Sequence, residues 1–249
     1  MNNYPTINIE QTFNQVIREY GMAIVVREAL LPKSVTFLNA DYIFHSEKII
    51  AELKCLTEDN SQDPNKLKKV ERIMNYYFDS GKIKTKVIND QTWLGFPLKL
   101  QNSITDVYAT SIRDRIRKAD EQISSTREKL NLGLYSGLLI LANDGLKSLP
   151  PAAVEVTALR YIRESRPNID CMIYVTVNIL AELEGIKQAI RFWSFTPMTE
   201  PNKVSDLFSK QLCLKFAGLV DRQVGLPSGF VTIPDKDEFL RKYWNAKTL

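Results

Sequence analysis

Apolar and polar positions alternate with two different periods in the first quarter of the chain. In residues 9–30 the apolar positions lie three or four residues apart, a spacing that predicts an amphipathic helix with Gly21 as a potential interruption. In residues 42–51 two apolar runs flank a short polar group, which is typical of a β-hairpin. The pattern therefore predicts a helix followed by two paired strands.

The polar group of the hairpin, His45 to Lys48, sets which residues face one another. A loop of two or four residues at this point places Asp41 directly opposite Glu52. Because side chains along a strand alternate between its two faces, Lys54 lies on the same face as Glu52. The opposite face of the second strand is apolar and is expected to pack on a core. Two carboxylates and an ammonium group thus share one face of the hairpin.

Helical and strand patterns alternate after the hairpin. They predict helices at residues 66–78, 103–130 and 152–164, and strands buried on both faces at residues 136–145 and 169–177. This order implies parallel crossover connections in one sheet that begins with the hairpin. The other segments are predicted as one or two short strands in 82–101, mixed helical spacing in 179–195, helices in 204–224 and 237–244, and a linker in 225–234.

We therefore expect an α/β fold with a mixed central sheet and flanking helices. Residues 1–200 are predicted to form this domain, and residues 201–249 to form a C-terminal helical extension packed on it. Trp193 and Trp244 are expected to lie in the core or in a homodimer contact.

Composition removes several kinds of chemistry. The single histidine, His45, excludes histidine-rich metal sites, and three widely spaced cysteines favour free thiols over a zinc site or a disulfide framework. No G-x-x-x-x-G-K loop is present, so ATP hydrolysis is not supported. No apolar run has the length of a membrane span and no signal-peptide pattern is present, which predicts a cytoplasmic protein without membrane contact. The formal net charge of +4 is compatible with nucleic-acid binding.

The shared face of the hairpin suits a hard divalent cation. Carboxylate and carbonyl oxygens are the ligands that Mg²⁺ prefers, and Asp41, Glu52 and the Leu53 carbonyl offer them at one place. Facing carboxylates destabilise a strand pair unless a cation lies between them, and Lys54 supplies only one positive charge. A metal ion makes a bound water easier to deprotonate, and a lysine beside it stabilises charge on a phosphate under attack. The plain alternative is a solvated salt-bridge cluster.

Asp41 followed by Glu52-Leu53-Lys54 resembles the D...(D/E)xK signature of the PD-(D/E)xK nuclease superfamily, whose fold is restriction-endonuclease-like. The chain departs from the family at Ala40, where the family often has proline. The resemblance implies a nuclease dependent on Mg²⁺ or Mn²⁺, in which Asp41, Glu52 and Leu53 bind the ion. Lys54 would position the attacking water or stabilise the transition state.

Two further catalytic positions follow from the same resemblance. Many members carry a lysine and a glutamine on the helix after this strand, arranged like K-A-x-x-Q, and this chain has Lys118 and Gln122 in that arrangement. A glutamine amide can accept a hydrogen bond from water and donate one to a phosphate oxygen. Members also often carry a glutamate on an upstream helix, for which Glu19 is the candidate and Glu28 the substitute. An ordinary surface glutamate is the alternative for Glu19.

The expected partner is DNA, with RNA as a second choice. Lys118 and three outward residues of the predicted helix 66–78, Lys68, Lys69 and Arg72, are expected to contact phosphates, although such a run is also typical of a solvated face. The sequence thus favours a metal-dependent DNA endonuclease. Two alternatives are a catalytically inactive relative that binds nucleic acid or a partner protein, and an assembly protein that oligomerises through its C-terminal helices.

Overall fold

A mixed β-sheet lies between two layers of helices in the computed structural model of the chain. The structure describes residues 6–21, 23–26, 39–57, 63–88, 92, 95–146, 149, 151–177, 180–183, 186–189, 191–201, 203–225 and 230–232. Within these ranges, no helix combines the length and the apolar character that crossing a membrane requires.

The helices and strands follow one another in an order close to the predicted one. The helices are α1 (Ile9–Tyr20), α2 (Pro64–Asp79), α3 (Leu98–Tyr108), α4 (Thr110–Lys129), α5 (Pro151–Ser165) and α6 (Asp206–Val224). The strands are β1 (Ile24–Val25), β2 (Tyr42–Phe44), β3 (Ile49–Leu56), β4 (Ser136–Asn143), β5 (Cys171–Thr176), β6 (Leu180–Leu183), β7 (Ile186–Ala189), β8 (Arg191–Pro197) and β9 (Phe230–Thr232).

Seven strands form one sheet in the order β1-β2-β3-β4-β5-β8-β9, and β6 pairs with β7 separately. The pairs β3–β4, β4–β5 and β8–β9 are parallel, whereas the pairs β1–β2, β2–β3 and β5–β8 are antiparallel. This arrangement confirms the predicted α/β class and the mixed sheet that begins with a hairpin.

Each face of the sheet is covered by its own hydrophobic core. On one face, alternate residues of β3 and β4 pack against α2, α3, α4 and α5, with Ile116 and Ile123 of α4 fully buried. On the other face, Ile49, Ala51 and Leu53 of β3 pack with α1 and α6. The apolar face predicted for the second hairpin strand is therefore confirmed. Trp193 is also buried in this second core, as one of its two predicted roles required.

Helix α1 ends ten residues before the predicted limit. The Asn8 side chain accepts a hydrogen bond of 3.0 Å from the Gln11 amide at the start of the helix, and Gly21 ends it in the left-handed conformation at φ 56°. Residues 24–25 then form the edge strand β1 instead of continuing the helix. The prediction of helix for residues 24–25 was wrong because apolar residues of a short edge strand can fall at the same spacing as those of a helix.

Three other predicted segments are corrected by the structure. The predicted helix 103–130 is two helices that meet at Ala109, and the buried apolar spacing continues across the break. Helix α3 begins inside the segment 82–101, whose described residues contain no strand. Residues 179–195 contain β6, β7 and part of β8 instead of helical structure, because pairing within sheets overrides a short helical spacing.

The C-terminal part contributes to the same core as the rest of the chain. Helix α6 packs with α1 on one face of the sheet, and β9 lies within the predicted linker 225–234 and pairs with β8. The predicted helix 237–244 and Trp244 lie outside the described residues. The division into residues 1–200 and 201–249 stays a prediction.

The start of β4 leaves no room for a side chain at Gly137. A Cβ atom there would lie 1.9 Å from the Asn168 carbonyl oxygen and 2.9 Å from Cγ2 of Ile123 on α4. We expect Gly137→Ala to lower the free energy of unfolding by about 1–3 kcal/mol, because the obstructing atom is backbone. The control is Gly218→Ala in α6, where nothing lies within 4 Å and alanine should raise stability by up to about 1 kcal/mol. Urea unfolding of both variants measures the difference, and equal stabilities would contradict the prediction.

Candidate functional site

The hairpin between β2 and β3 has the register that places the two carboxylates together. Its loop has four residues, from His45 to Lys48, and Lys48 adopts a left-handed φ of 54°. Tyr42 is paired with Ala51, so the next position outward sets Asp41 against Glu52. The predicted even register is confirmed. His45 is an exposed turn residue whose Nδ1 lies 2.9 Å from the Tyr135 hydroxyl.

Asp41 is fixed by the backbone of the neighbouring strand. Its Oδ2 accepts a hydrogen bond of 2.9 Å from the Leu53 amide. Burial raises the pKa of the Asp41 carboxyl above its ordinary value, although the Leu53 amide and the Lys54 charge act in the opposite direction. The carboxylate is therefore held in one orientation and gains from any additional cation placed beside it.

Glu52 is the most unusual side chain of the site. It is only 1% exposed, and its Oε1 accepts a hydrogen bond from Lys54 Nζ. Its second oxygen, Oε2, is buried and makes no hydrogen bond of good geometry, although the backbone and the carboxyl group of Asp41 lie close enough to the Glu52 carboxyl to act on the pKa values of the pair. Burial, followed by the Asp41 charge, raises the pKa of Glu52 to about 8, against the lowering effect of Lys54. A buried carboxylate with a free oxygen is costly in a sheet unless a cation completes its environment.

Lys54 connects the strand to helix α4. In addition to its contact with Glu52, its Nζ lies 2.6 Å from Oε1 of Gln122, and Nε2 of the same amide donates to the Asn39 carbonyl at 2.8 Å. Gln122 therefore orients Lys54 and also holds the segment that leads into Asp41. The structure thus brings together Asp41, Glu52, Lys54 and Gln122, as the sequence predicted.

Helix α4 also holds the residue before Asp41. The Ala40 amide donates a hydrogen bond of 2.7 Å to Oγ1 of Thr126, and both residues are fully buried. Proline has no amide hydrogen and could not make this bond. The contact therefore gives a physical reason for alanine at position 40, where the D...(D/E)xK pattern often has proline. Sequence reasoning missed Thr126, since nothing in a helical spacing marks a partner 86 residues away.

Replacing Thr126 tests this second anchor. Thr126→Val keeps the volume but leaves the Ala40 amide buried without an acceptor, which we expect to cost about 1–3 kcal/mol of unfolding free energy. The displaced segment should also weaken Mn²⁺ binding by roughly 10–100-fold, as the loss of a ligand-orienting contact does. Thr126→Ser retains the hydroxyl and should behave much as the unchanged protein does. Thermal unfolding and Mn²⁺ titration measure both effects, and equal values for the Val and Ser variants would contradict the role.

The remaining predicted catalytic residue, Glu19, lies elsewhere. Its carboxylate accepts hydrogen bonds of 2.7 Å from Gln15 and from Arg222 of α6, so it joins two helices. Glu28 lies outside the described residues. The acid of α1 whose charge acts on Asp41 is Glu10, which raises the pKa of Asp41 beyond the effect of burial. Glu10 was missed because an acid in the first turn of a helix is ordinary.

The predicted phosphate contacts lie on exposed helix faces. Lys118 is exposed and precedes Gln122 by one turn of α4. Lys68, Lys69 and Arg72 are exposed on α2. These positions are compatible with contacts to a polyanion.

The donor set of the site suits a hard divalent cation. Two carboxylates, one with a free buried oxygen, lie beside the Leu53 peptide, and Mg²⁺ usually binds one or two carboxylates and retains several waters. Among the described residues, no group of three or more His, Cys, Asp or Glu side chains is placed to hold a metal. An ion at this place would therefore depend on Asp41, Glu52, a backbone carbonyl and water.

Comparison with known proteins gives no further guide to the site. No family model, no curated protein and no solved structure matches this chain.

Proposed function

We propose that the chain is a metal-dependent nuclease of the PD-(D/E)xK type that hydrolyses phosphodiester bonds, with DNA as the substrate. The observation that carries the proposal is the pair of facing carboxylates, Asp41 immediately before β2 and Glu52 on β3, with the Lys54 ammonium group between β3 and α4. The buried Oε2 of Glu52, which makes no hydrogen bond of good geometry, and the pKa of Glu52, which is raised to about 8, support a site at which an added cation would be stabilised. The mixed sheet with flanking helices agrees with the fold that the sequence resemblance implies.

The roles of the residues follow from their positions. Asp41, Glu52 and the Leu53 carbonyl would hold Mg²⁺ or Mn²⁺, which supplies charge neutralisation at the phosphate and a more acidic water. Lys54 donates to Glu52 and to Gln122, so the one remaining hydrogen of its ammonium group can be donated to the attacking water or to a phosphate oxygen. Gln122 keeps that ammonium group in place. Lys118 and the cations of α2 would bind the flanking phosphates.

Cleavage of plasmid DNA tests the proposal directly. Supercoiled plasmid and short single strands are incubated with the protein and Mg²⁺ or Mn²⁺, beside the Lys54→Ala variant. We expect nicked and linear products with the unchanged protein and none with the variant or with EDTA. The absence of any metal-dependent cleavage, or equal cleavage by the variant, would reject the proposal.

A catalytically inactive member of the same fold is the second candidate. The direct ion pair of Lys54 with Glu52 favours it, because the ammonium group already neutralises one of the two carboxylates. Calorimetric titration with Mn²⁺ separates the two candidates. Heat that Asp41→Ala removes supports the nuclease, and no heat with either protein supports the inactive member.

A further inference from the structure

The segment of residues 63–88 has a clear excess of positive charge. Residues 63–88 contain seven lysines or arginines and three acids, an excess of four, and the formal net charge of the whole chain is also +4. The segment comprises α2 and the residues that follow it, and α2 begins shortly after β3 ends at Leu56. A local excess of positive charge therefore follows, along the chain, the strand that contains Glu52 and Lys54.

Part of this charge forms a stripe on α2. With 3.6 residues per turn, Lys68, Lys69, Arg72 and Tyr76 fall within an arc of about 100° on the helix, and all four are exposed. We call these four residues, together with Lys82 beyond the end of α2, the α2 stripe. Asp79 is the acid that shares this arc. None of the four cations of the stripe forms a salt bridge with an acid in the described part of the chain.

An exposed aromatic ring lies within the stripe. Tyr76 is 62% exposed, and Lys82 Nζ lies 5.2 Å from the centre of its ring. Tyr77 packs against the edge of Tyr76 with ring centres 5.4 Å apart, so the exposed ring has a supported position. A large aromatic side chain left in solvent between cations has the composition of surfaces that bind single-stranded nucleic acid, where bases stack on rings and cations bind phosphates.

The dimensions of the stripe suit a few nucleotides. From residue 68 to residue 76 the helix rises about 12 Å, and one strand of a duplex carries roughly three or four phosphates over that length. The stripe itself contains no exposed aliphatic residue. The exposed apolar residues of this region, Leu67, Phe78, Val87 and Ile88, lie outside it. A protein partner that binds through apolar contacts would therefore use that other surface, and the stripe fits a polyanion.

We infer that the α2 stripe binds a single strand of nucleic acid, with a base stacked on Tyr76 and phosphates bound by Lys68, Lys69, Arg72 and Lys82. The inference deepens the proposed nuclease function, because it assigns an unpaired strand, such as an end, a flap or a gap, to the substrate. The binding itself requires neither the metal nor the carboxylates of the site.

Binding without cleavage provides the test. A fluorescein-labelled oligothymidylate of roughly 15 nucleotides is titrated with the full chain in EDTA and followed by fluorescence anisotropy. Tyr76→Ala should weaken binding by roughly 5- to 100-fold, and Tyr76→Phe, which keeps the ring, should restore it. Arg72→Gln should reduce the slope of log affinity against log salt by roughly 0.7, whereas Lys129→Gln, an exposed lysine on α4, should leave the slope unchanged.

The outcomes distinguish this inference from the proposed function. If Tyr76→Ala binds the oligonucleotide with an affinity within twofold of that of the unchanged protein, the inference is wrong, even if plasmid cleavage is intact. Binding lost in Tyr76→Ala and kept in Tyr76→Phe would support it, even if no cleavage is found. A third result would also overturn the inference. In it, neither protein binds the oligonucleotide, and the unchanged protein and Tyr76→Ala bind polyglutamate equally well.

Discussion

Replacing Asp41 with asparagine is expected to remove metal-dependent cleavage while leaving the fold intact. Asparagine keeps an oxygen that can accept from the Leu53 amide, so the local backbone contact survives. It removes one of the two negative charges that would hold the ion. Because loss of an outer contact to a metal ligand already costs roughly 10–100-fold, we expect the loss of a ligand to reduce cleavage by more than about 100-fold.

The stability of this variant is the internal control. The Asp41 charge raises the pKa of Glu52, so its removal relieves repulsion in the folded state, and the melting temperature should not fall. Asp114→Asn, an exposed change on α4, should cleave at the normal rate. Plasmid cleavage over a range of Mg²⁺ concentrations measures the effect. A rate for Asp41→Asn within threefold of the unchanged protein would show that the carboxylate is not part of the site.

The stability of the metal-free protein is expected to fall as the pH rises from about 5 to about 8. The folded-state pKa of Glu52 is raised from the ordinary value of 4.5 to about 8, so in this range the unfolded chain has lost the proton that the folded chain still binds. Each pH unit then lowers the free energy of unfolding by up to about 1.4 kcal/mol, and this dependence on pH disappears above the folded-state pKa. Burial raises the pKa of Asp41 in the same direction.

A divalent ion should reverse this dependence. Metal ligands must be deprotonated, so Mg²⁺ or Mn²⁺ binding releases the proton of Glu52 and stabilises the folded state most at high pH. Urea unfolding at several pH values, with EDTA and with Mn²⁺, measures both slopes. Glutamine at position 52 cannot titrate, so Glu52→Gln should lose most of the metal-free slope and keep only the part due to Asp41, whereas Glu164→Gln on the surface of α5 should retain the full slope. An unchanged slope in Glu52→Gln would assign the pH dependence to other groups.

The part of the site that lies on the hairpin could be predicted from the sequence. Two apolar runs around a polar loop of two or four residues predicted the pairing of Tyr42 with Ala51, and the shared face of Asp41, Glu52 and Lys54 followed from that register. Gln122 could be placed because a lysine and a glutamine one turn apart resemble a known motif. The buried strands β4 and β5 and the helices α2, α5 and α6 were also predictable, since their periods and lengths are unambiguous.

What the sequence did not reveal depends on contacts between distant segments. Ala109 separates α3 from α4, although the spacing of buried apolar residues continues through it. Strands β6, β7 and β8 form through pairing that no local pattern shows. Thr126 and Glu10 belong to the surroundings of Asp41 only because the fold places their helices there. Glu19 has the residue type and the helix that the resemblance implies, but its carboxylate binds Arg222 and Gln15.

The contacts that Gln122 and Thr126 of α4 make have a consequence for the stage of synthesis at which Asp41 and Glu52 could bind an ion. Gln122 and Thr126 hold Asn39 and Ala40 across 83 and 86 residues of chain. A nascent polypeptide that has emerged only as far as the hairpin carries both carboxylates but not the helix that orders the approach to Asp41. Under the proposed function, ion capture would await synthesis and docking of α4, so chains that end before this helix would not cleave nucleic acid.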